Sequence, residues 1–313
     1  MIEVRALTKR FGTKVAVDDL SFDVVPGQVT GFLGPNGAGK STTMRLILGL
    51  DNADAGTATI DGRAYRDLHD PLRSVGALLE ARSVHTGRSA RNHLLFLAQS
   101  QGLPARRADE MLELVGLADV ASKRTGGFSL GMSQRLGIAA ALLGDPEVLL
   151  LDEPVNGLDP EGVLWVRNLM KDLAGQGRTI LVSSHLMNEM AVTADHLIVI
   201  GRGRLIAAAS TAEVIASGTG KSVLVRTPDA DRLTELIEGA GGTVTKGKGL
   251  LIVTEMEAAR IGELAASASL VLHELTPQLA SLEEAFMELT AGSLEFGVPG
   301  GLVAPAVTDG GGQ

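Results

Sequence analysis

Hydrophobic and polar residues alternate near the start of the chain in the way that half-buried strands require. Ile2, Val4 and Ala6 are separated by polar residues, and residues 21–25 repeat this alternation. The second segment stops at Pro26-Gly27, a dipeptide that favours a turn. The pattern therefore predicts two strands that each turn one face toward a core.

Short apolar runs predict a second kind of strand, which is buried on both faces. Such runs lie at residues 29–33 and 148–151, and residues 178–185 read as a further strand that ends in a histidine. Residues 43–49, which close on a glycine, and the Ala/Leu-rich residues 136–144 predict helices instead. Buried strands mixed with helices favour an α/β fold with a parallel sheet.

The last third of the chain predicts a separate small module. Residues 198–206 read as a hairpin, and a short helix from Thr211 closes a first domain that we expect over residues 1–217. An accessory or regulatory α+β module is expected over residues 221–290, in the order β-α-β-β-α-β of a ferredoxin-like unit. Its predicted strands lie at 222–226, 243–245, 250–253 and 270–275, and its helices at 229–240 and 257–267.

The end of the chain divides into a final helix and a tail. Ser281, followed three residues later by Glu284, forms the sequence of a capping box and predicts a helix start. Residues 291–313 are rich in glycine and are expected to be disordered. We find no catalytic constellation in the C-terminal module.

Composition and charge exclude several classes of protein. The chain has 313 residues, 45% of them apolar, which is enough for one large or two ordinary domains. No apolar run approaches the roughly 18 uncharged residues of a membrane span, and the N-terminus lacks a signal-peptide pattern. The absence of cysteine excludes disulfides and thiolate metal sites, and the net charge of −9 argues against broad nucleic-acid binding.

A phosphate-binding loop lies between the strand at 29–33 and the helix at 43–49. It fits the pattern G-x-x-x-x-G-K-[ST], whose glycines let backbone N–H groups surround a triphosphate at a helix N-terminus. Lys40 is positioned to reach the β- and γ-phosphates, and the Ser41 hydroxyl to bind Mg²⁺. A chance match is the alternative, and the strand–loop–helix context argues against it. The predicted nucleotide-binding residues of the loop are Gly34, Pro35, Asn36, Gly37, Ala38, Gly39, Lys40, Ser41 and Thr42.

Two carboxylates follow the apolar run at 148–151. The carboxyl end of a strand is where ligands bind in an open α/β sheet. Asp152 is expected to hold the metal, directly or through water, and Glu153 to act as the general base for the attacking water. A solvated acidic turn is the alternative. Phe11, on a predicted turn, is a candidate for stacking on adenine, with ordinary packing as its alternative role.

A further motif lies before the helix at 136–144, in the stretch Phe128-Ser129-Leu130-Gly131-Met132-Ser133-Gln134-Arg135. Together with the loop and the carboxylates, the chain resembles the nucleotide-binding subunit of an ABC transporter. Ser129, Leu130, Gly131 and Met132 resemble the signature loop, usually LSGGQ. Phe128, Leu130 and Met132 depart from it, whereas the retained Ser129 and Gly131 are the residues that the family uses against the γ-phosphate of the other subunit.

The resemblance assigns roles to residues after the carboxylates as well. Asn156-Gly157-Leu158-Asp159 matches the D-loop, which in the family passes between two subunits. His185 matches the histidine that contacts the γ-phosphate and the water. The implied fold is a P-loop NTPase (RecA-like) α/β core with antiparallel β and helical subdomains, the helical one at about residues 85–140.

Residues 75–80 correspond to the family's Q-loop, with Glu80 in place of the usual glutamine. A carboxylate is also a ligand for Mg²⁺, so metal contact is expected from Glu80 together with Ser41 and Asp152. This variant resembles bacterial exporters of antibiotics and lantibiotics, including the bacitracin and daunorubicin resistance systems. The resemblance therefore implies export of a drug, antibiotic or peptide.

The resemblance implies an ATPase with ATP and Mg²⁺ as cofactors. Two copies of the chain would enclose two ATP-Mg and drive a separate integral membrane permease, on the cytoplasmic face of a bacterial membrane. The alternative is a soluble ABC-type ATPase that acts on nucleic acid or the ribosome. One cassette, no cysteine and an acidic balance disfavour it. A phosphate-loop kinase or GTPase has no use for the signature or for His185.

Overall fold

The computed structural model describes residues 1–81, 83–218, 222–247, 249–278 and 281–290. The predicted disordered tail, 291–313, lies outside these ranges. The strands are β1 (Ile2–Phe11), β2 (Lys14–Val24), β3 (Val29–Leu33), β4 (Ala55–Ile60), β5 (Val75–Leu78), β6 (Val148–Asp152), β7 (Thr179–Ser183), β8 (His196–Gly201), β9 (Arg204–Ser210), β10 (Ser222–Arg226), β11 (Thr243–Gly247), β12 (Leu250–Thr254) and β13 (Glu274–Gln278). The α-helices are α1 (Lys40–Ile47), α2 (Pro71–Ser74), α3 (Ala90–Ser100), α4 (Arg106–Leu114), α5 (Leu130–Leu142), α6 (Pro160–Gly175), α7 (Met187–Thr193), α8 (Thr211–Ser217), α9 (Ala230–Gly239), α10 (Ala258–Ser267) and α11 (Leu282–Thr290).

A six-stranded sheet in the order β5-β6-β7-β3-β8-β9 forms the centre of the molecule. Its neighbours run parallel except for the β8–β9 hairpin. The strands β3 and β7 are buried along their whole length, as their apolar sequences predict. Because parallel strands share one direction, the residues that follow β3, β6 and β7 meet at the same edge of the sheet.

A second, antiparallel sheet in the order β2-β1-β4 covers part of the central sheet. Ile2 and Val4 of β1 are buried as predicted, but Ala6 is exposed and Leu7 is buried in its place, because the register of β1 shifts between Val4 and Leu7. The rings of Phe22 and Phe32 lie 5.5 Å apart between centroids and belong to the same apolar cluster. That cluster joins the two sheets.

Helices α3, α4 and α5 pack against one another, and α5 also packs on β5 of the central sheet. Arg91 Nε and Asp109 Oδ1, 2.6 Å apart, tie α3 to α4, and a second guanidinium nitrogen donates to the other carboxylate oxygen. Ser89 and Ser129 cap the N-termini of α3 and α5 by accepting hydrogen bonds from backbone N–H groups. The helix that carries Ser129 at its start therefore reaches from this helical region to the central sheet.

The C-terminal residues form a four-stranded antiparallel sheet in the order β11-β12-β10-β13. With α9 and α10, this is the β-α-β-β-α-β arrangement that the sequence predicts. The prediction of a strand at 270–275 was wrong, because the strand is β13, Glu274–Gln278. Leu270 and Leu272 instead pack into the apolar cluster of this module from a loop, so burial of leucine at these positions does not require a strand.

The last helix, α11, returns to the first part of the chain. It packs against α7 and α8, and Leu282, Ala285 and Phe286 belong to the main apolar cluster around the central sheet. Ser281 and Glu284 exchange the two hydrogen bonds of the predicted capping box. Within the part of the chain that the structure describes, no helix has the length and apolar character needed to span a bilayer.

Candidate active site

The loop from Gly34 to Thr42 connects the end of β3 to the start of α1. Gly39 directly precedes α1 with a φ of 105°, and a Cβ atom there would lie 2.4 Å from the carbonyl oxygen of Ala16. Only glycine meets both conditions, since other residues rarely adopt a positive φ. The loop therefore brings its backbone N–H groups to the N-terminus of a helix, where an anion is stabilised.

The side chain of Lys40 lies inside the curve of this loop. Its Nζ donates hydrogen bonds to the carbonyl oxygens of Gly34, at 2.6 Å, and Pro35, at 3.3 Å. Burial lowers the pKa of the Lys40 ammonium, and the nearby carboxylates of Glu153 and Asp152 oppose part of that shift. The cation is thus held in the mouth of the loop, next to the two carboxylates.

A cavity of about 450 Å³ opens above the loop. Phe11 contributes to one side and is 52% exposed, and Lys9 Nζ lies 5.3 Å from the centroid of its ring. The residues that line this cavity are Phe11, Lys14, Ala16, Pro35, Asn36, Gly37, Ala38, Gly39, Lys40, Ser41, Thr42, Leu79, Asp152 and Glu153. Of the predicted loop residues, only Gly34 is not among them.

Asp152 lies at the end of β6, opposite Ser183 of β7 in the parallel register. Its carboxylate accepts a hydrogen bond from Ser41 Oγ at 2.6 Å and another from Ser183 Oγ. A hydroxyl and a carboxylate side by side are the hard oxygen donors that suit Mg²⁺, which keeps most of its remaining ligands as water and phosphate oxygens. Ser41 and Asp152 therefore fit the predicted metal site.

Glu80 is not brought to that pair of oxygens. Leu79, just after β5, reaches the nucleotide cavity, whereas Glu80 lines only a neighbouring groove of about 410 Å³. No group of three or more His, Cys, Asp or Glu side chains that could hold a metal occurs among the described residues. Among the predicted metal ligands, Ser41 and Asp152 are the two that the structure joins by a hydrogen bond.

Glu153 and His185 form a pair at the same edge of the sheet. Glu153 follows β6, His185 follows β7, and Nδ1 of the imidazole lies 2.6 Å from Oε2 of the carboxylate. The backbone N–H of Glu153 donates to the carbonyl oxygen of Ser183 at 3.2 Å and to its Oγ at 3.1 Å. The structure therefore brings together the two residues that the sequence predicts for catalysis.

The signature residues do not line the cavity of their own chain. Ser129 Oγ, which caps α5, accepts a hydrogen bond from the backbone N–H of Met132 at 3.1 Å. Leu130 packs on Gly157, where an added Cβ would lie 2.3 Å from Leu130 Cδ2. Asp159 caps α6 through the backbone N–H of Gly162 at 2.9 Å. The signature and D-loop residues thus adjoin each other, away from the loop around Lys40.

Sequence reasoning missed three residues that line this cavity and one that contacts both Asp152 and Glu153. Lys14, Ala16 and Leu79 line the cavity, and no local motif marks them. Ser183 hydrogen-bonds to both acidic residues. A signal for Ser183 existed, because it ends an apolar strand next to Asp152, which is the position that marks ligand-binding residues in a parallel sheet.

Fold and site together define a phosphate-loop ATPase. A family model described as ABC transporter matches residues 17–156, and a domain of unknown function matches residues 221–283. The chain is 36% identical over 305 residues to Nod factor export ATP-binding protein I of Burkholderia lata, covering 94% of this chain and 98% of that protein. It is 43% identical over 209 residues to the bacitracin transport ATP-binding protein of Bacillus licheniformis, covering 66% and 68%. The chain belongs to the ATP-binding proteins of ABC transporters and is an ATPase.

Solved structures agree with the fold class predicted from the sequence. The ATP-binding subunit of an ABC transporter superposes with a TM-score of 0.63 and 27% identity, over 68% of this chain and 91% of that one. A dimeric cassette bound to ADP and phosphate superposes with a TM-score of 0.62 at 24% identity and supports the fold alone. The similarity to bacitracin and lantibiotic transport ATP-binding proteins confirms the predicted subgroup resemblance.

Proposed function

We propose that this chain, as a dimer around two ATP-Mg, powers a separate membrane permease that exports a drug, antibiotic or peptide. One observation supports ATP hydrolysis by this chain. Lys40, Asp152 and Glu153 line the same cavity, and His185 is hydrogen-bonded to Glu153. Similarity to proteins named for bacitracin transport, lantibiotic transport and Nod factor export supports the proposal that the permease is an exporter.

In the proposed mechanism the loop binds and orients the triphosphate. Lys40 exchanges its hydrogen bonds to two carbonyl oxygens for bonds to the β- and γ-phosphates. Ser41 and Asp152 hold Mg²⁺, which when bound neutralises charge that develops on the phosphate oxygens. Phe11 stacks on the adenine.

Glu153 then accepts a proton from the attacking water. Its carboxylate lines the cavity, and the hydrogen bond from His185 fixes its direction. We assign contact with the γ-phosphate to His185 as well. Ser129 and Gly131 complete the site of a second copy, in agreement with their place outside the cavity of their own chain, and Gly157, Leu158 and Asp159 lie at the boundary between the copies.

The groove that contains Glu80 is the proposed docking site for a helix of the permease. It lies between the central sheet and the helical region, and Leu50 at its side is 54% exposed. His93 Nδ1 is buried there without a hydrogen-bond partner among the described residues, and burial, together with the charge of Arg88, lowers the pKa of its imidazole. A neutral imidazole and a carboxylate beside exposed apolar surface suit an amphipathic helix. The chain would then sit on the cytoplasmic face of the membrane.

A single experiment separates this proposal from the soluble alternative. Glu153→Gln is expected to bind ATP and lose at least about 100-fold in kcat, because a general base contributes roughly that much or more. Tagged Glu153→Gln chain, captured with ATP and Mg²⁺ from gently solubilised membranes, should retain a stoichiometric multi-span protein. Recovery on ribosomes or DNA instead would replace the transport proposal with the nucleic-acid one.

A further inference from the structure

Glu153 has a backbone conformation that its sequence disfavours. Its φ is +51°, in the left-handed region, which costs a residue with a Cβ roughly 1–2 kcal/mol. Pro154 follows it, and the residue before a proline is biased toward extended backbone. Such a conformation persists only where surrounding contacts determine it. The hydrogen bonds of the Glu153 backbone N–H and carbonyl groups therefore set the position from which its carboxylate reaches His185.

Those contacts come from three places. Ser183 of β7 accepts the hydrogen bonds from the Glu153 backbone N–H. The Glu153 carbonyl oxygen accepts one hydrogen bond from the backbone N–H of Asn156 at 3.1 Å. It accepts a second, shorter one from Gln134 Nε2 at 2.8 Å. Of the two donors to this oxygen, Gln134 alone is a side chain and alone comes from another element, the helix α5.

Gln134 is 3% exposed, which is unusual for a glutamine, and it lies on the second turn of the helix that begins after the signature residue Ser129. Burying an amide costs folding free energy unless the amide makes hydrogen bonds. Its Nε2–H donates to the carbonyl oxygen of the proposed general base, whereas the bonds to Ser183 are donated by the backbone N–H of Glu153. Gln134 has no contact with the nucleotide cavity, so it acts through Glu153.

We propose that Gln134 is a positioning residue for hydrolysis. It fixes the peptide between Glu153 and Pro154, so that the Glu153 carboxylate keeps its hydrogen bond to His185 and its place in the cavity wall. The inference rests on the proposed role of Glu153 as general base. Because Asn156 still donates to the same oxygen, loss of the amide leaves the carbonyl paired, and the fold is expected to survive.

The test uses the full-length chain and four substitutions. Gln134→Met keeps the volume and removes the donor, and we expect kcat to fall about tenfold while ATP affinity and Tm stay near their original values. Thr211→Val is the matched control, since it removes a buried donor to a backbone carbonyl, that of Ala194, outside the site. In a Glu153→Gln background, Gln134→Met should cost no further activity, because residues that act as a unit are not additive.

Gln134→Glu supplies a second readout through its pH profile. A protonated carboxyl donates to the Glu153 carbonyl, and an ionised one offers only acceptors. We expect kcat of this variant, relative to the original chain, to fall as pH rises. Each of three results overturns the inference. They are an unchanged kcat in Gln134→Met, a loss of kcat from Gln134→Met that is equally large in the Glu153→Gln background, and a kcat ratio of Gln134→Glu to the original chain that does not change with pH. The proposed function fails separately, if Glu153→Gln itself hydrolyses ATP at the original rate.

Discussion

The imidazole of His185 and the carboxylate of Glu153 are joined by a hydrogen bond of 2.6 Å between Nδ1 and Oε2. The two residues follow neighbouring parallel strands, β7 and β6, so the sheet itself sets their spacing. The Nε2 atom of His185 is then left to face a phosphate or a water, while Nδ1 orients the base. A shift of either strand end would separate them.

His185→Ala should therefore impair hydrolysis more than binding. Without the imidazole the Glu153 carboxylate keeps only the longer hydrogen bond from the backbone N–H of residue 185, at 3.4 Å, to direct it, and we expect kcat to fall by about 10–100-fold. Phosphate release in single-turnover assays, with ATP affinity measured in parallel, tests this. His69→Ala is the control, since His69 is almost fully exposed at 93% of its side-chain surface. A loss of affinity as large as the loss of kcat would contradict the assignment.

Lys40 makes ATP binding sensitive to alkaline pH. Burial lowers the pKa of its ammonium from the usual 10.5, so the charge that attracts phosphate is lost at a lower pH than for an exposed lysine. We expect ATP affinity to decrease as pH rises through that lowered pKa, with a limiting slope of about tenfold per unit.

The comparison for Lys40 is Lys40→Arg, whose guanidinium stays charged throughout. Equal pH slopes in both proteins would show that Lys40 is not the titrating group. The folding stability of the nucleotide-free protein should change with pH in the opposite direction to ATP affinity, because Lys40 binds its proton more tightly in the unfolded chain. Its stability should rise with pH between the lowered pKa and 10.5.

Asp152→Asn should weaken the response to Mg²⁺. The amide replaces a charged oxygen next to Ser41 Oγ, and we expect the Mg²⁺ concentration for half-maximal hydrolysis to rise at least about tenfold. Asp145→Asn is the control, because Asp145 precedes the opposite end of β6 and pairs with Arg178. Chelation by EDTA should abolish hydrolysis in every form. A similar Mg²⁺ response in both variants would remove Asp152 from the metal site.

The sequence predicted the site wherever a functional residue directly follows a buried strand. Asp152, Glu153 and His185 lie at or just after such strand ends, because parallel strands end at one edge and the chain marks each end with a change from apolar to polar residues, whereas Lys40 begins α1 and was found through the loop motif. The glycine spacing of the loop adds the phosphate signal. These two patterns are local, so they can be read from the sequence alone.

What the sequence missed depends on side-chain direction in three dimensions. The bond from Gln134 to Glu153 joins residues 19 positions apart on different elements, and nothing in the local pattern of α5 indicates it. Glu80 was expected with Ser41 and Asp152; it lines the neighbouring groove, and its contact with Mg²⁺ stays a prediction. Leu270 illustrates a third limit, since an apolar residue packs equally well from a loop.

Gly157 should not tolerate a side chain while Leu130 is present. A Cβ at this position would lie 2.3 Å from Leu130 Cδ2, and the φ of Gly157 is +75°. We expect Gly157→Ala to destabilise the protein by roughly 2–4 kcal/mol from strain and overpacking together. Gly177→Ala isolates the strain, because Gly177 has a φ of +91° and nothing within 4 Å of the added atom.

The double variant Leu130→Ala, Gly157→Ala should recover part of that loss in thermal unfolding. If it is no more stable than Gly157→Ala alone, the signature and D-loop residues do not interlock in this way. If thermal stability is partly recovered, the side chain of Leu130, which replaces the usual glycine, packs directly against the D-loop at Gly157.

Leu50→Glu should uncouple the chain from its permease and leave the ATPase site intact. Leu50 is 54% exposed at the side of the groove that also contains Glu80 and His93, so a second carboxylate there repels an apolar helix face without disturbing the core. We expect co-purification with the permease to be lost, at least about tenfold, while ATP affinity of the isolated chain is unchanged. Val271→Glu, at a residue 57% exposed in the C-terminal module, is the control. Retained co-purification in Leu50→Glu would place the docking surface elsewhere, whereas loss in both variants would implicate general charge repulsion rather than this groove.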